Sequence, residues 1–188
     1  MITADAILRW MWGLFGLYWL VSALGTKKVA LNEKAGLRIL RLTTLAVMLA
    51  LLLTPWLRVG PLARRFIPKS VVVVWLGVAV AGAGIALAIW ARRHLGQNWS
   101  DKVVLKVDHQ LIRSGPYGYL RHPIYTGVLL GVAGTALAIG EWRGLLALLL
   151  VGTSYLIKAK REERILAESF GEAFAEYRRE TGFFLPGW

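Results

Sequence analysis

The chain of 188 residues contains no cysteine, only 11 acidic residues and only three histidines. The absence of cysteine excludes disulfides, thiolate nucleophiles and cysteine-ligated zinc. The histidines, His94, His109 and His122, lack the close spacing of metal motifs such as HExxH. The sequence therefore argues against a bound metal and excludes a cysteine nucleophile of the protein itself.

Charged residues are scarce as well. They make up 18% of the chain and hydrophobic residues 56%, whereas typical soluble domains are about 25% charged. This hydrophobic content excludes a disordered basic chain. The formal net charge is +12, but long uncharged runs separate the charges, whereas nucleic-acid-binding proteins gather them on one polar surface. The composition predicts a membrane protein with no nucleic-acid partner.

The longest uncharged run, Ser70–Ala91, has 22 residues. As a helix rising about 1.5 Å per residue, it is long enough to cross a hydrocarbon core of about 30 Å. Four further apolar stretches are candidate spans: Ala6–Leu24, Leu42–Leu57, Ile124–Gly140 and Gly144–Ile157. We expect the first of these to be retained rather than cleaved as a signal peptide, because it is long and lacks a clear cleavage site. The pattern predicts an all-α integral membrane protein with about five transmembrane helices, of which the last two form a tight hairpin.

The expected organisation is one membrane domain over residues 1–188. Residues 1–91 hold three spans, and residues 92–188 hold a polar loop, the hairpin and a C-terminal amphipathic helix. Five spans place successive loops on alternate sides, so that one side receives 17 basic residues and the other six. The positive-inside rule assigns the richer side to the cytoplasm. The N-terminus is then outside, and the polar loop and the C-terminus are cytoplasmic.

A helix start is predicted at Arg121-His122-Pro123, because proline suits the first turn of a helix. The free N–H groups at a helix start, flanked here by Arg121 and His122, can bind an anion. The alternative is that these two side chains only anchor the helix end at the membrane interface.

The C-terminal segment has the period of an amphipathic helix. Its apolar residues recur every three or four positions: Leu166, Phe170, Ala173, Phe174 and Tyr177. Lys158 and Glu162 lie four positions apart and, taken alone, form an ordinary surface salt bridge. The aromatic residues Phe183, Phe184 and Trp188 are expected to anchor the chain at the interface.

Two glycine patterns are assigned to helix packing. Gly82-Ala83-Gly84 lies inside the longest apolar run and lacks the third glycine of a dinucleotide-binding motif. Gly127 and Gly131 form a GxxxG pattern, which lets two membrane helices approach closely.

Several motifs in the second half of the chain occur in a recognisable order. They are His109-Gln-Leu-Ile, then Gly115-Pro-Tyr117-Gly-Tyr-Leu-Arg121-His122-Pro123-Ile-Tyr125-Thr-Gly127, then Glu162-Glu163-x-x-Leu166, and then Phe170-Gly171-x-x-Phe174-x-x-Tyr177. The combination resembles the isoprenylcysteine carboxyl methyltransferases, in their minimal prokaryotic form, and the wider group that includes phospholipid N-methyltransferases. The resemblance runs from about Gly96 to Pro186.

The resemblance implies that the cofactor is S-adenosylmethionine, bound on the cytoplasmic side, and that the partner is a lipophilic methyl acceptor among membrane lipids. It assigns cofactor contacts to His109, Gln110, Leu111, Ile112, Tyr117, His122, Pro123, Ile124, Tyr125 and Glu162. Arg121 and Glu163 are the implied catalytic residues. Lys158 is the implied substrate-binding residue and replaces an arginine of family members, keeping the charge but losing the two-pronged geometry.

Carboxyl O-methylation of a prenylcysteine-like or isoprenoid acceptor is the predicted reaction, because a carboxylate needs no general base and the sequence displays no dedicated one. The enzymatic alternatives are phospholipid N-methylation and thiol S-methylation. The non-enzymatic alternative is a small multispan carrier or assembly protein. Carriers place ionisable residues in the middle of their spans, and the predicted spans hold none there.

Overall fold

The computed structural model describes residues 3–23, 35–96 and 111–187. Within these ranges the chain is all-helical, with two isolated β-bridges and no strand, which confirms the predicted class. The helices are α1 Ala4–Ala23, α2 Ala35–Leu53, α3 Val71–Leu95, α4 Pro123–Ile139, α5 Trp142–Phe170 and α6 Glu172–Glu180. Short 3-10 helices occupy Pro55–Leu57, Gly60–Ala63 and Gly115–Gly118. The sequence-predicted cofactor residues His109 and Gln110 lie outside the described residues.

Local sequence signals set the end of α2 and both ends of α4. α2 ends ahead of Pro55, which has no N–H with which to continue an α-helix. Pro123 occupies the first turn of α4, as predicted. Gly140 ends α4 with a φ of +67°, a left-handed conformation that favours glycine. Gly140 and Glu141 alone separate α4 from α5, so the two helices form a hairpin.

The fifth helix differs from its prediction. Its apolar arm was expected over Gly144–Ile157, but α5 extends from Trp142 to Phe170, a single helix of 29 residues. The segment that follows Ile157 is rich in lysine, arginine, glutamate and alanine, which are strong helix formers. The helix breaks at Gly171, where φ is +50°. The predicted C-terminal amphipathic helix is therefore divided between the end of α5 and α6.

α3 and α4 pack along a seam of small residues. The seam consists of Gly77, Ala81, Gly84 and Ala88 on α3 and Gly127, Gly131, Gly134 and Ala138 on α4. A Cβ added at Gly77 would lie 2.6 Å from the carbonyl oxygen of Gly134, and one added at Gly127 would lie 2.6 Å from that of Gly84. The two backbones are in direct contact, as the GxxxG pattern predicts. The seam holds the start of α4 against α3.

The outer surfaces of several helices are apolar. Trp10 and Leu20 on α1 are both 70% exposed, and Val72 on α3 is 75% exposed. A soluble monomer rarely exposes apolar surface on this scale. By length and composition α3 and α5 can cross a membrane, and α4 and Ile39–Leu53 of α2 are shorter apolar helices. These surfaces suit contact with lipid chains.

Candidate active site

Several of the polar residues that the resemblance assigns to the site lie close together, between the start of α4 and the charged C-terminal half of α5. His122, which directly precedes α4, is buried, and its ring stacks on that of Tyr125 with the centroids 5.4 Å apart and the planes 6° apart. Glu162 and Glu163 approach this stack from α5. We call His122, Tyr125, Glu162 and Glu163 the His122 cluster.

Each carboxylate of the cluster has a different partner. Both oxygens of Glu162 accept hydrogen bonds from the Tyr125 hydroxyl, at 2.7 and 2.8 Å. Oε1 of Glu163 accepts one from Nε of Arg121 at 2.6 Å. The two carboxylates therefore hold opposite sides of the same histidine ring, since Nδ1 of His122 lies 3.6 Å from Glu162 and Nε2 lies 3.4 Å from Glu163.

Nε2 of His122 is buried and has no hydrogen-bond partner among the described residues. The 3.4 Å separation from Glu163 lacks hydrogen-bond geometry. A buried polar atom without a partner has a free-energy cost, and such atoms are few in folded proteins. This nitrogen is therefore a candidate contact for a ligand.

Lys158 is part of this site rather than of the surface. Its side chain is only 9% exposed, and its Nζ lies 3.8 Å from Oε1 of Glu162 and 5.3 Å from the centroid of the Tyr125 ring. The interpretation of Lys158 and Glu162 as a solvent-exposed pair is therefore wrong. On its other side, the Tyr125 ring stacks on Tyr155, with centroids 4.6 Å apart.

Sequence reasoning missed Tyr155. Tyr155, Lys158 and Glu162 follow one another at intervals of three and four, so they share one face of α5. That spacing could have placed Tyr155 beside the two predicted site residues.

The C-terminal segment covers the His122 cluster. The rings of Phe183 and Phe184 lie 5.0 and 6.0 Å from that of His122, in edge-to-face arrangements. These two residues were expected to anchor the chain at the membrane interface, which stays a prediction; their half-buried rings pack on the site. Trp188 lies outside the described residues.

Backbone pairing holds this segment in place. Gly182 forms a parallel β-bridge with Leu120: its carbonyl accepts from the Arg121 N–H at 2.8 Å, and its own N–H donates to Tyr119 at 3.1 Å. The Arg121 guanidinium also donates to the carbonyl of Thr181. Arg121, an implied catalytic residue, thus bonds both to Glu163, the other one, and to the backbone of the C-terminal segment that covers the site.

The loop ahead of Arg121 is held by α6. The Tyr177 hydroxyl donates to the carbonyl of Tyr117 at 2.7 Å, and burial raises the pKa of Tyr177 to about 12. Burial likewise raises the pKa of Tyr117. Tyr117 and Ile124 are buried in the same apolar core as Tyr125, and Ile112 packs against that core. Leu111 is half-buried, and no described contact joins it to the His122 cluster.

The site combines flat aromatic rings with charges of both signs. Arg121, Lys158 and Arg178 surround the two carboxylates, and Nε of Arg178 lies 4.0 Å from Oε2 of Glu163. Such a set can bind a ligand that carries a carboxylate, an ammonium group and a planar ring, since each of these groups finds an opposite charge or an aromatic face.

A family model and a solved structure match this chain. The family model described as phospholipid methyltransferase matches residues 72–173, which include α4, α5 and the whole His122 cluster. A solved structure of the eukaryotic intramembrane Ras methyltransferase, isoprenylcysteine carboxyl methyltransferase, superposes with a TM-score of 0.52 at 21% identity, covering 84% of this chain and 54% of that one. This likeness shows the fold.

Three curated relatives carry different names. The chain is 34% identical over 113 residues to the cobalt-zinc-cadmium resistance protein CzcN of Cupriavidus metallidurans, covering 59% of this chain and 46% of that protein. It is 32% identical over 94 residues to protein-S-isoprenylcysteine O-methyltransferase of Schizosaccharomyces pombe, covering 48% and 40%. It is 37% identical over 71 residues to methanethiol S-methyltransferase of a Pseudomonas strain, covering 37% and 26%. The chain therefore spans less than half the length of these relatives.

Proposed function

This chain belongs to the phospholipid methyltransferase family, and we propose that it transfers a methyl group from S-adenosylmethionine to a lipophilic acceptor at a membrane. The observation that carries the proposal is the His122 cluster. There, aromatic rings, two carboxylates and a histidine nitrogen without a hydrogen-bond partner lie together under an aromatic cover.

The residues of the cluster fit S-adenosylmethionine. Nε2 of His122 makes no hydrogen bond of standard geometry within the described residues, and its nearest acceptor, Oε1 of Glu163, lies 3.4 Å away. The ribose and amino-acid parts of the cofactor carry groups that can bond to this nitrogen. Glu162 can accept hydrogen bonds from hydroxyl or ammonium groups, as the resemblance implies. The half-buried rings of Phe183 and Phe184 offer aromatic surface for the adenine. When bound, S-adenosylmethionine supplies a methyl group on a sulfonium, which an anionic carboxylate can accept without a general base.

Lys158 is the residue we assign to an anionic acceptor. Its ammonium is nearly buried beside Glu162 and Tyr125, so it lies at the polar end of the apolar helix faces. A carboxylate on a lipid-soluble molecule could pair with this cation while its apolar tail stays between the helices. This arrangement favours carboxyl O-methylation of a prenylcysteine-like or isoprenoid compound, and orientation supplies much of the acceleration.

Arg121 and Glu163 have a positioning role in this proposal. Their ion pair is 2.6 Å long, and Arg121 also bonds the carbonyls of Arg178 and Thr181. A carboxylate held in this way is a weak general base. The pair instead keeps the C-terminal segment over His122, which excludes water from the site.

We place five transmembrane helices, α1 to α5, in the bilayer as one domain. The count of basic residues, 17 against six, supports an outside N-terminus and a cytoplasmic His122 cluster and C-terminus. The cofactor then reaches the site from the cytosol and the acceptor from the membrane.

Thiol S-methylation is the second candidate, favoured by the 37% identity to methanethiol S-methyltransferase. The family model named for phospholipid methyltransferases adds amine N-methylation. The acceptor test must therefore separate three kinds of methylated product.

Purified protein should be incubated with methyl-labelled S-adenosylmethionine and, separately, with a prenylcysteine analogue, phosphatidylethanolamine and a hydrophobic thiol. We expect label on the prenylcysteine analogue, released by alkali as from a methyl ester. Alkali-stable label on the thiol or the amine alone would replace the carboxyl acceptor. The absence of label on any acceptor, together with no binding of S-adenosylhomocysteine, would contradict the proposed activity itself.

The role of Lys158 is tested in the same assay with Lys158→Met, which removes the charge and keeps most of the length. We expect a higher KM for the carboxylate acceptor and little change for a neutral thiol. Lys160→Met, on the exposed side of the same helix, is the matched control. Equal effects of the two substitutions would remove Lys158 from the acceptor site.

A further inference from the structure

A polar cavity lies at the end of the α4–α5 hairpin opposite to the His122 cluster. It has a volume of about 370 Å³ and is enclosed by the start of α1, the end of α2, the end of α4 and the start of α5. α4 has 17 residues, so the cavity is separated from His122 by about 25 Å along that helix. It is therefore distinct from the proposed methyl-transfer site.

The charged lining of this cavity is mostly basic. The basic side chains are Arg9, Arg58, Arg65, Lys69 and Arg143, and the acidic ones are Asp5 and Glu141. Glu141 is 2% exposed and is shared by two arginines, with 2.6 Å to Nη2 of Arg58 and 2.7 Å to Nε of Arg143. Positive charges outnumber negative ones by three.

The excess charge falls on residues at the rim. Within the described residues, no ion pair joins Arg9 or Lys69 to an acidic side chain. Among the residues that the structure describes, the Arg65 side chain bonds only to the carbonyls of Ile67 and Ile139, at 3.0 Å each. Basic groups that converge on one concavity without matching acids repel one another, and a bound anion relieves that repulsion.

Backbone groups add to the positive potential. α1, a helix of 20 residues, begins at the cavity with Ala4, and its first N–H groups carry the positive end of the helix dipole. Arginine in particular matches the oxygen geometry of a phosphate group. The anion that this set fits best is therefore a phosphate.

Apart from Thr3, Thr54 and Thr135, the rest of the lining is apolar. Leu8, Leu52, Val74 and Ile139 come from four different helices or their ends and lie beside the basic rim. The volume falls in the range of about 300–1,000 Å³ that is usual for small-molecule sites. A ligand that fills this space has a phosphate at one end and apolar groups at the other.

We propose that this cavity binds the phosphate of an anionic phospholipid head group, with Arg9 and Lys69 as its main charged contacts. The lipid occupies the leaflet opposite the His122 cluster. It neutralises the excess charge and ties the starts of α1 and α3 together. The proposal is independent of the acceptor that is methylated.

Lipid retention by the detergent-purified full chain tests the proposal. Native mass spectrometry would measure the apparent affinity for phosphatidylglycerol and for zwitterionic phosphatidylcholine. The double variant Arg9→Gln/Lys69→Gln is compared with Arg64→Gln/Arg93→Gln, which removes the same charge from exposed positions outside the cavity. We expect the wild type to prefer phosphatidylglycerol, the test variant to lose about tenfold in affinity, and the control to lose little.

The single variant Lys69→Gln covers the case in which the double variant fails to fold, because Lys69 is exposed in the segment before α3. It should lose part of the same affinity. Inorganic phosphate, added at constant ionic strength, distinguishes the two sources of the anion. If it stabilises the wild type and not the test variant, the phosphate site stands and free phosphate is its ligand.

The proposal is overturned if the double variant, or Lys69→Gln in its place, binds phosphatidylglycerol as tightly as the wild type. It is also overturned if the exposed control loses as much affinity as the test variant. The second result would mean that lipid binding follows overall charge rather than this cavity.

Discussion

Both ends of the α4–α5 hairpin contain glutamate side chains beside basic side chains, but the polar atoms at one end have more hydrogen-bond partners than those at the other. At one end, Glu141 is bound by Arg58 and Arg143, and Arg143 also donates to the carbonyls of Leu51 and Thr54 at 2.7 and 3.0 Å. At the other end, Glu162 and Glu163 flank His122, whose Nε2 has no hydrogen-bond partner among the described residues.

The difference separates a structural ion pair from a binding site. The carboxylate of Glu141 and the guanidinium of Arg143 use their hydrogen-bonding capacity to join α5 to the end of α2, so they stabilise the fold. In the His122 cluster, by contrast, the buried Nε2 of His122 makes no hydrogen bond within the described residues. We therefore expect substitution of Glu141 or Arg143 to change the free energy of unfolding, and substitutions in the His122 cluster to change the affinity for the cofactor.

The largest expected effect is that of Glu141→Gln. The substitution leaves Arg143 buried without its counter-charge, which should lower the free energy of unfolding by about 3–5 kcal/mol. Unfolding in mixed detergents measures the change, with the exposed Glu168→Gln as control. The folded fraction should still bind S-adenosylhomocysteine with wild-type affinity. A stability equal to that of the control would show that the Glu141 ion pairs contribute nothing.

Glu162→Gln should have the second-largest effect, which falls on ligand affinity rather than on the free energy of unfolding. It removes the charge that accepts from Tyr125 and that we assign to the cofactor, so the affinity for S-adenosylhomocysteine should fall by roughly 1.5–3 kcal/mol, or ten- to a hundredfold. Calorimetry measures this loss, again against Glu168→Gln. Unchanged affinity would remove Glu162 from the cofactor site.

The smallest effects come from two single hydroxyl groups. Tyr125→Phe removes the bonds to Glu162, and Thr135→Val removes the acceptor of the buried Trp12 indole N–H at 3.0 Å. Each should cost about 1 kcal/mol. The first loss should be seen in cofactor affinity and the second in unfolding, with the exposed Tyr119→Phe silent in both. The opposite assignment would contradict the distinction between the two ends.

The sequence predicted the start of α3 and both ends of α4 because the signals there are local, whereas the bounds of α2 and the end of α3 differ from the predicted spans by four to seven residues. Ser70 directly precedes α3, and Pro123 and Gly140 mark the bounds of α4, as the uncharged runs and the proline and glycine residues indicated. The length of α5 was not predicted, because hydropathy ends at Ile157 while helix propensity continues through the charged residues to Phe170.

Part of the site was likewise predicted from the sequence and part was not. The resemblance grouped His122, Tyr125 and Glu162, and the structure brings them together. The aromatic cover by Phe183 and Phe184 could not be predicted, because it depends on the pairing of Leu120 with Gly182, a contact between positions far apart in the chain. The burial of Lys158 was missed for a related reason: the Tyr125 ring that covers it comes from another helix.

With α5 spanning the bilayer as proposed, the spacing of its charged residues makes the protein sensitive to the thickness of the membrane. Lys158 follows Arg143 by 15 positions on this helix, so their backbones are about 22 Å apart along the axis. A hydrocarbon core of about 30 Å exceeds that distance, and since both side chains are held in buried contacts, the bilayer is expected to thin locally around them. We therefore expect the acyl-chain length of the surrounding lipids to affect the environment of Lys158 and that of the Arg143–Glu141 pair together, because one continuous helix connects them.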